Sequence, residues 1–324
     1  MNKEDLKIVY MGTPDFAVES LRCLVEGGYN VVGVITMPDK PVGRHGSVLQ
    51  ASPVKQYAVE HGIKVLQPEK LKNPEFVEEL RSLQADLQIV VAFRMLPEVV
   101  WNMPRLGTFN LHASLLPQYR GAAPINWAVI NGDTETGITT FFLRHEIDTG
   151  DIIQQVCVPI SDSDNVGDVH DRLMLLGGKL VTETVDNILA GTIKPIPQDK
   201  LIQAGDAELR PAPKIFHETC EINWNQPTKK IYDFIRGLSP YPAAWTTLNG
   251  VQMKIFESEK VMPSELQSQC AGSIITDGKT YVNVVTADGL LSLKTVQLAG
   301  KKRMPIQDFL RGFHFTDNAS FGLE

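Results

Sequence analysis

The chain has 324 residues, 43% hydrophobic and 21% charged, a composition typical of a packed globular protein of about two domains. Its formal net charge of −7 argues against a protein that coats nucleic acid regardless of sequence. No apolar run is long enough to span a bilayer, and the charged N-terminal segment is a poor signal peptide. Four widely spaced cysteines without a CxxC pair predict reduced thiols and a cytoplasmic protein.

The first two thirds of the chain alternate strand-like apolar runs with segments of helical periodicity. The predicted strands cover residues 6–11, 31–35, 63–66, 87–93, 108–112 and 152–158. Helices are predicted after Pro14 and over residues 52–61, 74–83 and 166–189. Strands separated by helices of this length predict an α/β fold with a doubly wound, mostly parallel sheet.

The last third of the chain has a different pattern. A polar, proline-punctuated stretch at 191–209 is typical of a linker. After it come one helical segment, 228–238, and short alternating runs at 244–248, 252–256, 273–275, 281–285 and 290–296. Turn signals such as Asn249-Gly250 separate several of these runs. The sequence therefore predicts a first domain over 1–190, a linker over 191–209 and a small OB-like β-barrel over 210–324.

Several common catalytic motifs are missing from the sequence. The first strand ends in Met11-Gly12-Thr13-Pro14, which is not the GxGxxG turn of dinucleotide-binding enzymes. The chain also has no GxxxxGK[ST] phosphate loop, no GxSxG elbow and no HExxH zinc motif. These patterns argue against a dinucleotide oxidoreductase, a P-loop NTPase, an α/β-hydrolase and a zinc protease of the HExxH type.

Three polar residues stand near the ends of predicted strands. Asn110 and His112 alternate along one strand, so their side chains share a face close to its carboxyl end. Asp148 lies in the turn before the strand at 152–158 and is the carboxylate best placed to meet His112. An amide, an imidazole and a carboxylate together suit acid–base chemistry on a small electrophile. On residue types alone, a structural role for such a histidine is the more common case.

The segments around these residues resemble the folate-dependent formyltransferases. The resemblance rests on the run Asn110-x-His112-x-Ser114-Leu115-Leu116-Pro117 and on Asp148-Thr149-Gly150. Segments at 12–17, 38–44, 119–124, 235–240 and 300–302 are similar to the branch of the family that acts on methionyl-tRNA, so the likeness covers nearly the whole chain. It implies a formyltransferase-type Rossmann-like domain. It also implies an activity: the transfer of a formyl group from 10-formyltetrahydrofolate to the α-amine of initiator methionyl-tRNA, for translation initiation. The resemblance further implies that the protein acts as a monomer and needs no metal.

The resemblance also implies roles for particular residues. Asn110, His112 and Asp148 are the expected catalytic residues. The expected folate contacts are Phe93, Met95, Leu96, Ser114, Leu115, Leu116 and Pro117. The expected tRNA contacts are Lys40 and Arg44, together with the basic triplet Lys301-Lys302-Arg303 of the C-terminal module. The chain departs from the family at Arg94, where a glycine is common, and after Arg44, where a lysine pair is common.

Three other functions share parts of this pattern. A formyltransferase acting on an amino-sugar nucleotide would keep Asn110, His112 and Asp148, but the basic C-terminal module and the Arg44 loop argue against it. A hydrolase that cleaves the formyl donor is the second alternative. An inactive RNA-binding protein built on a β-barrel is the third, and the intact catalytic set argues against it.

Overall fold

The computed structural model describes residues 1–43, 46–205, 208–262, 269–316 and 319–322. The chain folds into two compact units. Unit 1 comprises Met1–Gly121, Gly137–Val158 and His170–Pro211, and unit 2 comprises Ala122–Thr136, Pro159–Val169 and Ala212–Glu324. Among the described residues, no helix combines the length and the apolar character that crossing a membrane requires.

The elements that the sequence pattern predicts occur in the predicted order, and further elements lie between them. The strands are β1 (Ile8–Gly12), β2 (Val31–Ile35), β3 (Lys40–Val42), β4 (Val48–Gln50), β5 (Val65–Leu66), β6 (Leu87–Val91), β7 (Thr108–His112), β8 (Glu135–Phe142), β9 (Ile152–Pro159), β10 (Ala244–Leu248), β11 (Val251–Val261), β12 (Ile274–Thr276), β13 (Val282–Val285), β14 (Leu290–Leu298) and β15 (Met304–Pro305). The α-helices are α1 (Asp15–Glu26), α2 (Pro53–Glu60), α3 (Pro74–Ser82), α4 (Glu98–Trp101), α5 (Pro124–Ile130), α6 (Val166–Ala190), α7 (Gln198–Ala204), α8 (Thr228–Leu238) and α9 (Ile306–Gly312).

Unit 1 is built on a seven-stranded sheet with the strand order β5-β2-β1-β6-β7-β8-β9. The pairs from β5 through β7 are parallel, and β8 joins β7 in the antiparallel direction. Every residue of β1 and β6 is buried, which is the pattern of parallel strands covered on both faces. The predicted α/β class with a mostly parallel sheet is confirmed.

Local signals set several of the helix starts. The Ser52 hydroxyl accepts the N–H of Lys55 at 3.0 Å, and Pro53 occupies the first turn of α2. Asn73 caps α3 in the same way, through the N–H of Glu75. Strand β6 ends at Val91, two residues earlier than predicted, because Ala92 turns the chain with a φ of 48°.

Some elements were not predicted. The hairpin of β3 and β4 and the helices α4, α5 and α7 come from stretches that the sequence pattern left as loops or linker. Helix α7 lies within the stretch 191–209, and its first residue, Gln198, is buried in unit 1. The domain boundaries themselves stay a prediction.

Unit 2 contains an antiparallel sheet in the order β10-β11-β14-β13-β12, with β15 paired to β14. Asn249 and Gly250 join β10 to β11 with φ values of 50° and 73°, the conformation of a type I′ hairpin turn, so this turn prediction is confirmed. The register of β11 against β14 shifts around Glu257, and such a bulge bends a long strand. Helix α8 contributes Ile231, Ile235 and Leu238 to the core of the unit.

Candidate active site

The candidate site lies where β7 ends. Asn110 and His112 alternate along this strand, as predicted; His112 is buried and Asn110 is half-buried. The side chain of Asn110 makes no hydrogen bond to any other described residue. The imidazole of His112 is held between the carbonyl of Tyr119 and the carboxylate of Asp148.

The hydrogen bond of His112 to Tyr119 defines which ring nitrogen can act. Nε2 of His112 lies 2.8 Å from the carbonyl oxygen of Tyr119, and a carbonyl only accepts, so Nε2 must carry the proton. Nδ1 is therefore the nitrogen that can gain or lose a proton, and it lies 3.9 Å from Oδ2 of Asp148. The structure thus brings together the His112–Asp148 pair that the sequence predicted.

Asp148 is held in an unusual backbone conformation. Its φ of 55° lies in the left-handed region, which non-glycine residues rarely adopt without support. Oδ2 accepts the backbone N–H of Gly121 at 2.9 Å. Two residues later, a Cβ on Gly150 would fall 1.5 Å from the carbonyl oxygen of Phe142, so this turn requires glycine. The carboxylate therefore has a defined direction, with Oδ2 engaged.

The loop after His112 is fixed by buried hydroxyl and amide groups. The Thr139 hydroxyl donates to the carbonyl of Ser114 at 2.7 Å and accepts the N–H of Leu116 at 3.2 Å. The Gln155 amide donates both to the Thr139 hydroxyl and to the carbonyl of Leu116. The loop is thus anchored to β8 and β9.

The predicted folate contacts separate into two groups. Ser114, Leu116 and Leu96 lie in the interior, and the Ser114 hydroxyl already donates to the carbonyl of Gln118 at 2.7 Å. The other four keep accessible surface: Phe93, Met95, Leu115 and Pro117. Met95 is the most accessible of them at 71% exposure. The folate role of all seven stays a prediction.

Arg94 fits its segment without backbone strain. The positive φ of this segment falls on Ala92, not on Arg94, so replacing the family's glycine at 94 needs no left-handed residue. Its guanidinium donates to the carbonyls of Glu69 and Pro68 and lies 5.6 Å from the ring centroid of Phe93. Burial lowers the pKa of Arg94 from its ordinary value.

The predicted tRNA contacts that the structure describes are exposed. Lys40 begins β3 and is exposed, whereas Arg44 lies outside the described residues. Lys301 and Lys302 are exposed in the turn after β14, and neither has an ion-pair partner in the described part of the chain. Arg303 is partly engaged, because its guanidinium lies 4.0 Å from the ring centroid of Phe256 and 3.6 Å from Glu257.

Several residues that shape the site were missed by the sequence interpretation. Tyr119 supplies a carbonyl to His112, Thr139 and Gln155 anchor the loop, and Gln198 bonds to the Asp148 turn. No motif marks Thr139, Gln155 or Gln198, because these bonds span at least 25 residues of sequence, whereas Tyr119 lies only seven residues after His112 and acts through its backbone carbonyl, which residue type does not reveal. Within the described ranges, no group of three His, Cys, Asp or Glu side chains could hold a metal ion, and the expected metal-free reaction stays a prediction.

The fold and the site together match one class of protein. The family model described as formyl transferase matches residues 6–185, and the model of the formyl transferase C-terminal domain matches residues 214–314. The first match contains the sheet and the His112–Asp148 pair, and the second contains the antiparallel strands. The chain belongs to the formyl transferase family.

Relatives of full length narrow the class further. A protein named methionyl-tRNA formyltransferase from Phocaeicola vulgatus is 72% identical over 323 residues, covering 98% of this chain and 99% of its own. One of the same name from Bacteroides fragilis is 69% identical over 322 residues, 98% of either chain. A solved N-formyltransferase from Helicobacter canadensis, in complex with folinic acid and dTDP-3-aminofucose, has a TM-score of 0.66 at 20% identity. The match covers 92% of this chain and 100% of the solved chain. At this level of identity, the likeness concerns the fold alone.

Proposed function

We propose that this chain transfers the formyl group of 10-formyltetrahydrofolate to the α-amine of initiator methionyl-tRNA and so supplies formylmethionyl-tRNA for translation initiation. The observation that carries the proposal is the His112–Asp148 pair, with Nδ1 3.9 Å from Oδ2. It occurs in a chain 69% to 72% identical, over its whole length, to proteins named methionyl-tRNA formyltransferase. That full-length identity favours tRNA over an amino-sugar nucleotide as the acceptor.

The attacking group is the neutral α-amine of methionine. Its ordinary pKa is about 8, so a useful fraction is unprotonated near neutrality. The amine nitrogen attacks the formyl carbon, and the carbonyl oxygen of that group becomes an oxyanion. The free side-chain amide of Asn110 donates to this oxyanion, as does Nδ1–H of a protonated His112. Oδ2 of Asp148, 3.9 Å from Nδ1, faces the same nitrogen.

Collapse of the tetrahedral intermediate requires one proton to move. The bond between the formyl carbon and N10 of the folate breaks, and the amine loses a proton as N10 gains one. Asp148 accepts the amine proton through a bound water and passes it towards N10, which balances the step without a covalent enzyme intermediate. Its Oδ2 is already held by the N–H of Gly121, so the carboxylate keeps its direction as the proton passes.

The substrate contacts follow from exposure. We place the folate against Phe93, Met95, Leu115 and Pro117, with Ser114, Leu116 and Leu96 supporting it from the interior. We place tRNA phosphates at Lys40, Arg44 and the triplet Lys301-Lys302-Arg303. The protein acts as a monomer in the cytoplasm, where aminoacyl-tRNA is used.

The catalytic assignment is tested by His112→Ala and Asp148→Asn. We expect each to lower kcat/KM for methionyl-tRNA by about 100-fold or more, since loss of one oxyanion donor or proton acceptor typically costs that much. His61→Ala and Asp171→Asn remove exposed groups away from the site and serve as matched controls. Wild-type turnover by either site variant at saturating substrate contradicts the assignment. Replacing the tRNA by an amino-sugar nucleotide in the same assay tests the acceptor.

A further inference from the structure

We infer that Gln198 is a positioning residue that sets the direction of the Asp148 carboxylate. The inference rests on the proposed function, in which Asp148 handles the transferred proton. Gln198 opens α7 in the stretch that the sequence pattern assigns to a linker, and only 2% of its surface is exposed. A buried amide is stable only when its donors and acceptors are paired, so its partners indicate its role.

The amide group of Gln198 spans the Asp148 turn. Its Nε2 donates to the carbonyl of Asp148 at 2.7 Å and to the carbonyl of Gly150 at 2.8 Å. Both protons of one amide therefore hold the two carbonyls on either side of Thr149. These bonds stabilise the left-handed φ of 55° at Asp148, a conformation that costs free energy unless its surroundings support it.

The acceptor side of the same amide is also engaged. Oε1 of Gln198 accepts from Nε and Nη2 of Arg120, at 3.1 and 2.7 Å. Arg120 immediately precedes Gly121, whose N–H donates to the Asp148 carboxylate. Gln198 therefore joins the backbone of the Asp148 turn to the segment that holds the Asp148 side chain, and the network closes around the carboxylate.

The position of Gln198 is itself set by the chain around it. Ile196 and Ile152 exchange both backbone hydrogen bonds, at 2.8 and 2.9 Å, which ties the start of α7 to the start of β9. Leu201, one turn further along α7, packs on the buried cluster of Leu116, Phe141 and Ile152. The amide is thus pre-organised by packing, as a support for a reacting group must be.

The test compares Gln198→Ala and Gln198→Glu in the full chain. Both remove the amide protons, while the glutamate still offers an acceptor to Arg120. We expect a 10- to 100-fold lower kcat with both KM values within about twofold of wild type, because a displacement of about 1 Å at a reacting group costs up to 100-fold. Gln56→Ala, which removes one bond from a side chain on α2 to the backbone carbonyl of Ala51, is the matched control.

A double-mutant cycle separates positioning from loss of stability. The single-turnover rate is measured with Gln198→Ala in wild-type and in Asp148→Asn protein. In the Asp148→Asn protein, we expect Gln198→Ala to lower this rate by less than a further twofold, since the carboxylate that Gln198 orients is gone. An equal loss in both backgrounds, or wild-type kcat in Gln198→Glu, overturns the inference. A wild-type protein that leaves methionyl-tRNA unformylated overturns the proposed function as well, so the two failures are distinguishable.

Discussion

The hydroxyl of Thr139 illustrates how much of the site depends on single buried polar atoms. It makes three hydrogen bonds, to the Ser114 carbonyl, the Leu116 N–H and the Gln155 amide, and the residue is fully buried. Thr139 also stands opposite His112 in the β7–β8 pair. A change at this atom therefore affects both the stability of unit 1 and the loop that follows His112.

Thr139→Val tests this role, since valine has nearly the same shape without the hydroxyl. The free energy of unfolding should fall by about 1–3 kcal/mol, because buried backbone groups lose their partner and cannot reach water. Urea unfolding at pH 7 measures the change. Thr182→Val serves as the control, since that hydroxyl bonds only to carbonyls of its own helix and should matter little. Equal losses for the two variants would contradict the assignment.

At the scale of elements, the start of α8 is tied to a distant turn. Oδ1 of Asp288 accepts the backbone N–H of Thr228 at 2.7 Å and its hydroxyl at 2.8 Å, across 60 residues of sequence. The bond from the Thr228 N–H, followed by that from its hydroxyl, lowers the pKa of Asp288 from its ordinary value. A carboxylate at a helix N-terminus is stabilised in its charged form, so the bond tethers helix to sheet.

Asp288→Ala should lower the free energy of unfolding by about 0.5–1 kcal/mol at pH 7. This value is in the lower part of the range for a helix cap, because the carboxylate is exposed to solvent. The folded pKa lies below the ordinary value, so the stabilisation is present above about pH 3.9 and is lost as the pH falls through the folded pKa. The urea midpoints of wild type and Asp288→Ala should therefore differ less at pH 3 than at pH 7. A difference independent of pH would argue against the charged cap.

At the scale of the whole molecule, the proposed binding of tRNA requires that positive charge be concentrated in one place on the surface. A chain of net charge −7 that binds a polyanion depends on local cations, because the rest of its surface repels the ligand. In the triplet Lys301-Lys302-Arg303, the two lysines have no ion-pair partner in the described ranges, whereas Arg303 already faces Glu257. The lysines should therefore contribute more to tRNA affinity than the arginine.

Replacing Lys301 and Lys302 by alanine should weaken tRNA binding and flatten its dependence on salt. For duplex DNA, each lost phosphate contact reduces the slope of log affinity against log salt concentration by about 0.9, and the value for folded RNA should be roughly similar. Arg303→Ala should have the smaller effect, and Lys279→Ala, on another exposed turn, should have none. Titrations of tRNA at several salt concentrations measure the slopes, and folate affinity provides the internal reference. Unchanged slopes would identify the triplet as a solvated turn.

These experiments use the full chain because the units are interwoven along the sequence. The chain passes between them after residues 121, 136, 158, 169 and 211. A chain cut at residue 190 would keep residues 122–136 and 159–169 without the rest of their unit and would lose Gln198. Point substitutions therefore test the proposals more cleanly than truncation does.

What the sequence determined by itself was local or carried by contiguous motifs. The strands at 31–35, 108–112 and 244–248 and the helix at 228–238 were predicted with their observed bounds, because periodicity and turn residues act over a few positions. Asn110, His112 and Asp148 were predicted as catalytic residues because the segments around them resemble the folate-dependent formyltransferases, and that role stays a prediction. The structure then brought His112 and Asp148 together across 36 residues.

What only the tertiary structure decided were the partners that hold these groups in place. Gln198 reaches Asp148 across 50 residues, Gln155 reaches Leu116 across 39, and Thr139 reaches Ser114 across 25. No periodicity marks such residues, because a buried hydrogen bond depends on which side chains the completed fold brings within about 3 Å. The same reason explains why the stretch 191–209 was predicted to be a linker, although it contains α7 and the buried amide beneath the Asp148 turn.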